Sequence, residues 1–443
     1  MSRPDEPTAQ PSSPAGIITA IALLLVYQGY SLSIVGVASP WIAKSFALDQ
    51  RGLARLFAWM SLSAFAVMIL SRLADRVGRR LVILLALVLV PVFSVGAAIA
   101  SDVVTFAASQ ILISALLGGS VSSAIVLLAE ELPDNRRASG QAYAAFASAV
   151  GGVIGYIVIP FLLAAGYSWR WLLAPCTLGL ALVVPVARML PVDSRWSRTV
   201  KSEAIAGTRI YDIFHPLYRR RALALLACAA LDTMAGTAVN GWLYFAAVSV
   251  IGLPPRTAST LVVAGMGLGM LGFPLGAWAA ERFGRVPTVA YVGGAAWFGA
   301  LGFYWVPALK PVQPLPFLLG AYGWFKIASG MMTVGANAAT TEVLPAALRT
   351  TMIGWQGITA AVFSVLAQTL IASLVGPLGG LLLVIRCFAL LGIPSAIVFA
   401  LFIDETRGIS LDEAAKEDQW QKTAHHPTGR LTVARQAQRR TDS

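Results

Sequence analysis

The chain has 443 residues, of which 57% are hydrophobic and only 12% charged, with a formal net charge of +12. Soluble domains average about a quarter charged residues, so a water-soluble globule is excluded: too little polar surface exists to cover the apolar bulk. A nucleic-acid binder is excluded as well, because the basic residues sit in short loops and tails between apolar blocks, as positive loops facing anionic lipid do.

In chain order, residues 1–15 are polar and rich in Pro and Ser, with Arg3 their only basic side chain. They lack the charged start and cleavage site of a signal peptide and read as a disordered cytoplasmic N-terminus. Apolar blocks of about 20 residues follow, each long enough to cross about 30 Å of hydrocarbon. They predict spans at 16–43, 52–71, 80–100, 104–130, 138–166 and 170–190, a first half covering 16–190. A polar cytoplasmic linker, 191–220, separates these from spans at 221–248, 257–280, 287–307, 316–341, 351–376 and 379–403. The second half is thus 221–403, and 404–443 form a cytoplasmic tail. The expected class is an all-α membrane protein of twelve transmembrane helices in two six-helix halves.

Charge placement sets the expected orientation. Loops after the even-numbered spans hold 17 Lys and Arg residues, from Arg72 to Arg349, against 6 in the opposite loops: Lys44, Arg51, Arg55, Arg170, Arg256 and Lys310. The richer side is expected to be cytoplasmic, with both termini inside a plasma membrane.

The two halves repeat. Ser71-Arg72-Leu73-Ala74-Asp75-Arg76-Val77-Gly78-Arg79-Arg80 follows span 2, and Ala277-Trp278-Ala279-Ala280-Glu281-Arg282-Phe283-Gly284-Arg285 follows span 8. Glu130-Glu131-Leu132-Pro133 with Arg137 closes span 4, and Glu342-Val343-Leu344-Pro345 with Arg349 closes span 10. Two matching pairs at equivalent places imply a six-plus-six duplication, the layout of transporters that bind substrate between their halves.

On these motifs the chain resembles the major facilitator superfamily. The D-R-x-G-R-R loop matches its best-known signature, with Ser71 where the family has Gly. The two E-x-x-P…R endings, the Trp169-Arg170-Trp171 opening of span 6, and Asp404-Glu405-Thr406-Arg407-Gly408 after span 12 resemble its sugar porters and organic-acid/proton symporters. The resemblance implies transport by alternating access, a small-molecule substrate, protons as partner and a monomer. It also implies a cytoplasmic gate of Asp75, Arg79, Glu130, Glu131, Arg137, Glu281, Arg285, Glu342, Arg349 and Glu405. Each exposed pair is worth only about 0–1 kcal/mol, so several together can bias an equilibrium and still break in each cycle. Two departures stand out: span 1 carries Gln28-Gly29-Tyr30-Ser31 where such symporters often carry acids, and span 4 carries Gln110 where relatives often carry Arg.

Charges inside the spans narrow the candidates. Asp232 in span 7 and Lys326 in span 10 fall roughly 16 Å from opposite faces. A charge there costs about 2.5–3.5 kcal/mol and normally faces a cavity or a partner. Asp232 is the expected proton-coupling residue, and Lys326 the expected anchor of an anionic substrate; a static bridge between them is the structural alternative. Tyr27, Gln28, Tyr30, Gln110, Asn240, Trp324, Asn337, Trp355 and Gln356 are candidate substrate-binding side chains, since a cavity for a polar solute needs apolar walls and a few directed hydrogen bonds. Each is as readily an interhelical hydrogen bond or an interface aromatic. The glycines at 151, 152 and 155, and at 265, 267, 269 and 272, read as helix-packing surfaces.

Nothing suggests an enzyme. Cys176, Cys228 and Cys387 lie in apolar blocks, and His215, His425 and His426 lie in the linker and tail, so no metal or cofactor is expected. The leading reading is proton-coupled symport of a small organic metabolite, with an anion among the candidates. The alternatives are a drug or metabolite exporter on the same fold and a non-transporting receptor-like scaffold.

Overall fold

The computed structural model describes residues 14–131, 134–191, 211–309, 314–344 and 346–407, and every regular element among them is helical. Twelve long helices run in chain order. In the first half they are α1 (Pro14–Ser45), α2 (Gln50–Ser61 and Ser63–Val77, one span bent at Leu62), α3 (Arg79–Ile99), α4 (Val103–Glu131), α5 (Asp134–Ala164) and α6 (Trp169–Met189). In the second they are α7 (Arg219–Val250), α8 (Pro255–Phe283), α9 (Arg285–Leu309), α10 (Pro314–Glu342), α11 (Ala346–Leu374) and α12 (Leu381–Phe402). Each predicted span coincides with one of them to within a few residues. Most of the expected linker and tail lies outside the described residues.

Eleven of these helices are both long and apolar enough to cross a membrane. The other, α10, is as long but more polar, because Lys326, Ser329, Thr333 and Asn337 interrupt it. A span that tolerates such residues must turn them away from lipid.

The duplication read from the loops is present in the packing. Within the first half α1 packs on α5, α2 on α4, and α3 on α4 and α6; within the second α7 packs on α11, α8 on α10, and α9 on α10 and α12. Gly78 and Gly284 occupy the same place in the two motifs, and both have positive φ, 101° and 109°, which links α2 to α3 and α8 to α9 through a conformation that suits glycine. Of the glycines expected to pack, Gly151, Gly155, Gly265, Gly269 and Gly272 face a neighbouring helix closely, whereas a Cβ on Gly267 would meet nothing within 4 Å. A Cβ on Gly151 would lie 2.0 Å from the Val26 carbonyl oxygen, so α1 and α5 cross backbone to backbone, and Gly272 does the same for α8 against Ile327 of α10. Asp102 starts α4 by accepting from the Val104 and Thr105 amides and the Thr105 hydroxyl; the bonds from Thr105 chiefly hold its carboxyl below the usual range.

The halves meet along two symmetry-equivalent seams, α2 against α11 and α5 against α8. The end of the bundle bearing Arg72, Arg79, Arg188, Arg219 and Arg282 is called the basic face below. At the opposite end aromatic rings cross from one half to the other. Phe57 of α2 meets Trp242 of α7 at 5.0 Å, Tyr156 of α5 meets Tyr244 at 5.3 Å, and Trp41 of α1 meets Tyr244 at 6.2 Å. The Arg51 guanidinium lies against Gly376, just past the end of α11. Closer to mid-depth, the Ser61 and Ser364 hydroxyls are 3.4 Å apart. Among the described residues these named contacts between halves lie at mid-depth or beyond it, away from the basic face.

Candidate substrate and proton sites

Helix α7 rises from the basic face and is interrupted at Trp242, then continues through a π-helical turn, 246–250. Breaks of this kind mark functional positions in membrane helices. Asn240 lies immediately before the break and is exposed. Opposite it on α10, the Lys326 ammonium donates to the Asn240 amide oxygen at 3.0 Å. Lys326 Nζ also lies 5.7 Å from the Tyr322 ring centroid and 5.9 Å from that of Phe325. Both rings are buried, and Tyr322 fills the space that Gly265 leaves on α8. The result is a cation held by a neutral amide and two aromatic rings, so its charge is not cancelled.

Asp232 sits eight residues before Asn240, about 12 Å along α7. It lies on the side of α7 that packs on α12, where Cys228, one turn away, bonds to the Ser395 carbonyl. One carboxylate oxygen, Oδ1, is buried without a partner. No ion pair joins Asp232 to Lys326 in this structure, so the alternative of a static bridge between them does not describe it. A Lys stem spans about 6 Å, half the axial gap.

The α1 candidates serve packing. The Tyr27 and Tyr30 hydroxyls donate to the carbonyls of Cys176 and Leu172 in α6, Gln28 donates to Ser120 of α4, and Gln110 is buried within the same half. The expectation that Tyr27, Gln28 and Tyr30 line the cavity gives way, in this structure, to interhelical hydrogen bonds, whereas the buried Gln110 keeps an Nε2 without a hydrogen-bond partner. The physical reason is that α1 crosses α5 closely through its glycines, which leaves the three α1 side chains facing α4 and α6. Trp324 donates to the Ala295 carbonyl of α9, and Trp355 packs on Phe214 at 5.4 Å. Asn337 is exposed and Gln356 half-buried. Of the proposed binding residues, Lys326 and Asn240 are therefore brought together directly.

At the basic face the described charges brace the second half. Arg285 donates to Glu342 at 3.1 Å, and Glu342 also accepts from the Thr406 hydroxyl. Glu405 accepts from the Arg285 and Val286 amides at 3.0 and 2.9 Å and so caps α9. Arg221 reaches both Asp404 and the Val343 carbonyl. Arg349 donates to the Leu344 carbonyl, and Glu281 is exposed. Arg79 is half-buried, while the side chains of Asp75, Glu130, Glu131 and Arg137 lie outside the described set. Unlike a gate closing between halves, every pair described here joins helices of one half.

A sequence-family model described as Major Facilitator Superfamily matches residues 19–368. The chain belongs to the Major Facilitator Superfamily. It is a multi-pass membrane transporter and not an enzyme. It is 23% identical over 350 residues to the gentisate transporter of Corynebacterium glutamicum, covering 75% of this chain and 74% of that one. It is 26% identical over 420 residues to the gallate transporter of Pseudomonas putida, covering 86% and 89%. Its fold matches that of the xylose transporter XylE from E. coli in an inward open conformation, with a TM-score of 0.71, 17% identity, and 91% and 100% coverage.

In this superfamily member, several contacts around the candidate residues have no signature in the sequence. Tyr322, one helical turn before Lys326, was available as an i, i+4 neighbour. The place of Asp232 beside Ser395 and the Trp242 and Tyr244 rings that meet the other half depend on tertiary packing, and no local pattern marks them.

Proposed function

We propose that this transporter carries a small organic anion of the aromatic-acid class together with a proton. The observation that supports this most is the Lys326–Asn240 pair beside the Tyr322 and Phe325 rings. An ammonium at mid-membrane costs about 2.5–3.5 kcal/mol, and a neutral amide leaves its charge uncompensated. A carboxylate offsets that charge through a charge-assisted hydrogen bond, while the neighbouring rings suit a flat apolar body. The relatives named for gentisate and gallate favour the same class.

Asp232, with one oxygen unpartnered, is the proton carrier in this reading. The basic face is cytoplasmic, both termini are inside the plasma membrane, and a single chain is the working unit. On that orientation the aromatic closure faces outward, and the site communicates with the cytoplasm.

Binding to purified protein tests the reading. Gentisate and gallate should bind and xylose should not, and Lys326→Met should lose the acids. Tight binding of the sugar, or unchanged acid binding by Lys326→Met, overturns it.

A further inference from the structure

Along the seam between α5 and α8 runs a groove of about 640 Å³, walled by Tyr156, Pro160 and Phe161 on one side and Ser259 and Val263 on the other. A second cleft of about 290 Å³ lies on the far side of α8, against Leu315 and Leu319 of α10. Arg256 and Thr260 line both. Arg256 is exposed, and its guanidinium has no hydrogen-bond or ion-pair partner among the described residues. It is the second residue of α8, at headgroup depth on the face opposite the basic one.

We propose that this is a phospholipid site, with the phosphodiester on Arg256 and one acyl chain descending on each side of α8. Two apolar troughs that converge on one unpaired cation at the interface match the shape and charge of a two-chain phospholipid. The planar guanidinium fork suits a phosphodiester, and the walls on either side of it are mainly apolar. The site is separate from the substrate site. Lys326 packs at Gly269, thirteen residues further along α8, or about 20 Å.

The placement gives the lipid a conformational consequence. One wall of the larger groove belongs to the first half and the other to the second, so separating α5 from α8 at this face pulls the walls apart. A lipid that contacts both walls binds the closed state better and shifts the population towards it.

Native mass spectrometry of the purified protein tests this with phosphatidylglycerol, a diacylglycerol of the same chains, and inorganic phosphate. Wild type should retain one phosphatidylglycerol and hold the diacylglycerol about tenfold less well, the weight of a charge-assisted contact. Arg256→Ala should weaken phosphatidylglycerol retention by about the same factor, and Val263→Trp, which fills the groove, should abolish it. Both variants should bind the substrate acid as wild type does, which checks that they fold. Equal retention of both lipids, retention unchanged in the two variants, or displacement of the lipid by inorganic phosphate or by an aromatic acid each overturns the proposal.

Discussion

Lys326 of α10 holds the amide oxygen of Asn240 of α7 at 3.0 Å, and no carboxylate stands opposite it. The ammonium thus has a hydrogen-bond partner but keeps its charge. A charged hydrogen bond of this kind contributes about 1.5–3 kcal/mol. Lys326→Met should therefore raise the Kd for the transported acid by about ten- to a hundredfold, measured by calorimetry. Asn240→Asp makes the sharper test, because it keeps the hydrogen bond and cancels the charge. It should weaken acid binding as well, and wild-type affinity in Asn240→Asp would show that the charge is not what the substrate reads.

Asp232 is placed to act apart from that pair. It lies about 12 Å along α7 from Asn240, on the side of that helix that packs on α12. Substrate and proton would then bind two stations on one helix, so each can influence the other through the position of α7. Asp232→Asn should abolish accumulation driven by a pH gradient and leave substrate counterflow intact, measured in proteoliposomes. Accumulation with normal pH dependence in Asp232→Asn would move the proton to another group.

The spans, their duplication and the two mid-membrane charges were legible because each is a local property of the sequence. Length and apolarity define a span, and a mid-membrane Asp or Lys is costly wherever it sits. What each polar side chain faces was not legible. Gln28 and Asn240 are both amides in apolar helices, yet one is buried against Ser120 of α4 and the other meets Lys326. The difference comes from how closely each helix approaches its neighbours, which depends on glycines in partner helices far along the chain. The charged motifs at the basic face were legible as a cluster, but not as a brace within one half.

That brace makes a distinct prediction. Glu405 accepts from the first amides of α9, and Glu342 ties Arg285 to Thr406. Weakening the cap with Glu405→Gln, which removes the charge and one of the two acceptor oxygens, should cost about 1 kcal/mol of stability, seen as a lower Tm in detergent. Because the bonds lie within one half, the balance between inward- and outward-open states should change little. A large shift in that balance, measured by labelled-pair distances across the basic face, would make Glu405 part of a gate between halves instead.

The aromatic closure at the opposite face carries the conformational prediction. Phe57 meets Trp242 at 5.0 Å and Tyr156 meets Tyr244 at 5.3 Å, each pair joining one half to the other. Such ring pairs contribute about 0.5–1.5 kcal/mol each beyond the area they bury. Phe57→Ala and Tyr156→Ala remove one ring from each pair and leave the Trp242–Gln368 hydrogen bond in the second half in place. Together they should favour opening at this face by about 1–3 kcal/mol, a five- to roughly 150-fold change in the equilibrium. A cysteine at Asn240 reports the change, since opening exposes that position to a membrane-impermeant thiol reagent from the side opposite the basic face. Labelling should rise in each single variant and further in the double, because both pairs act on the same two-state motion. Labelling that stays at the level of the Asn240→Cys parent would show that the rings fill space at the seam without holding it shut.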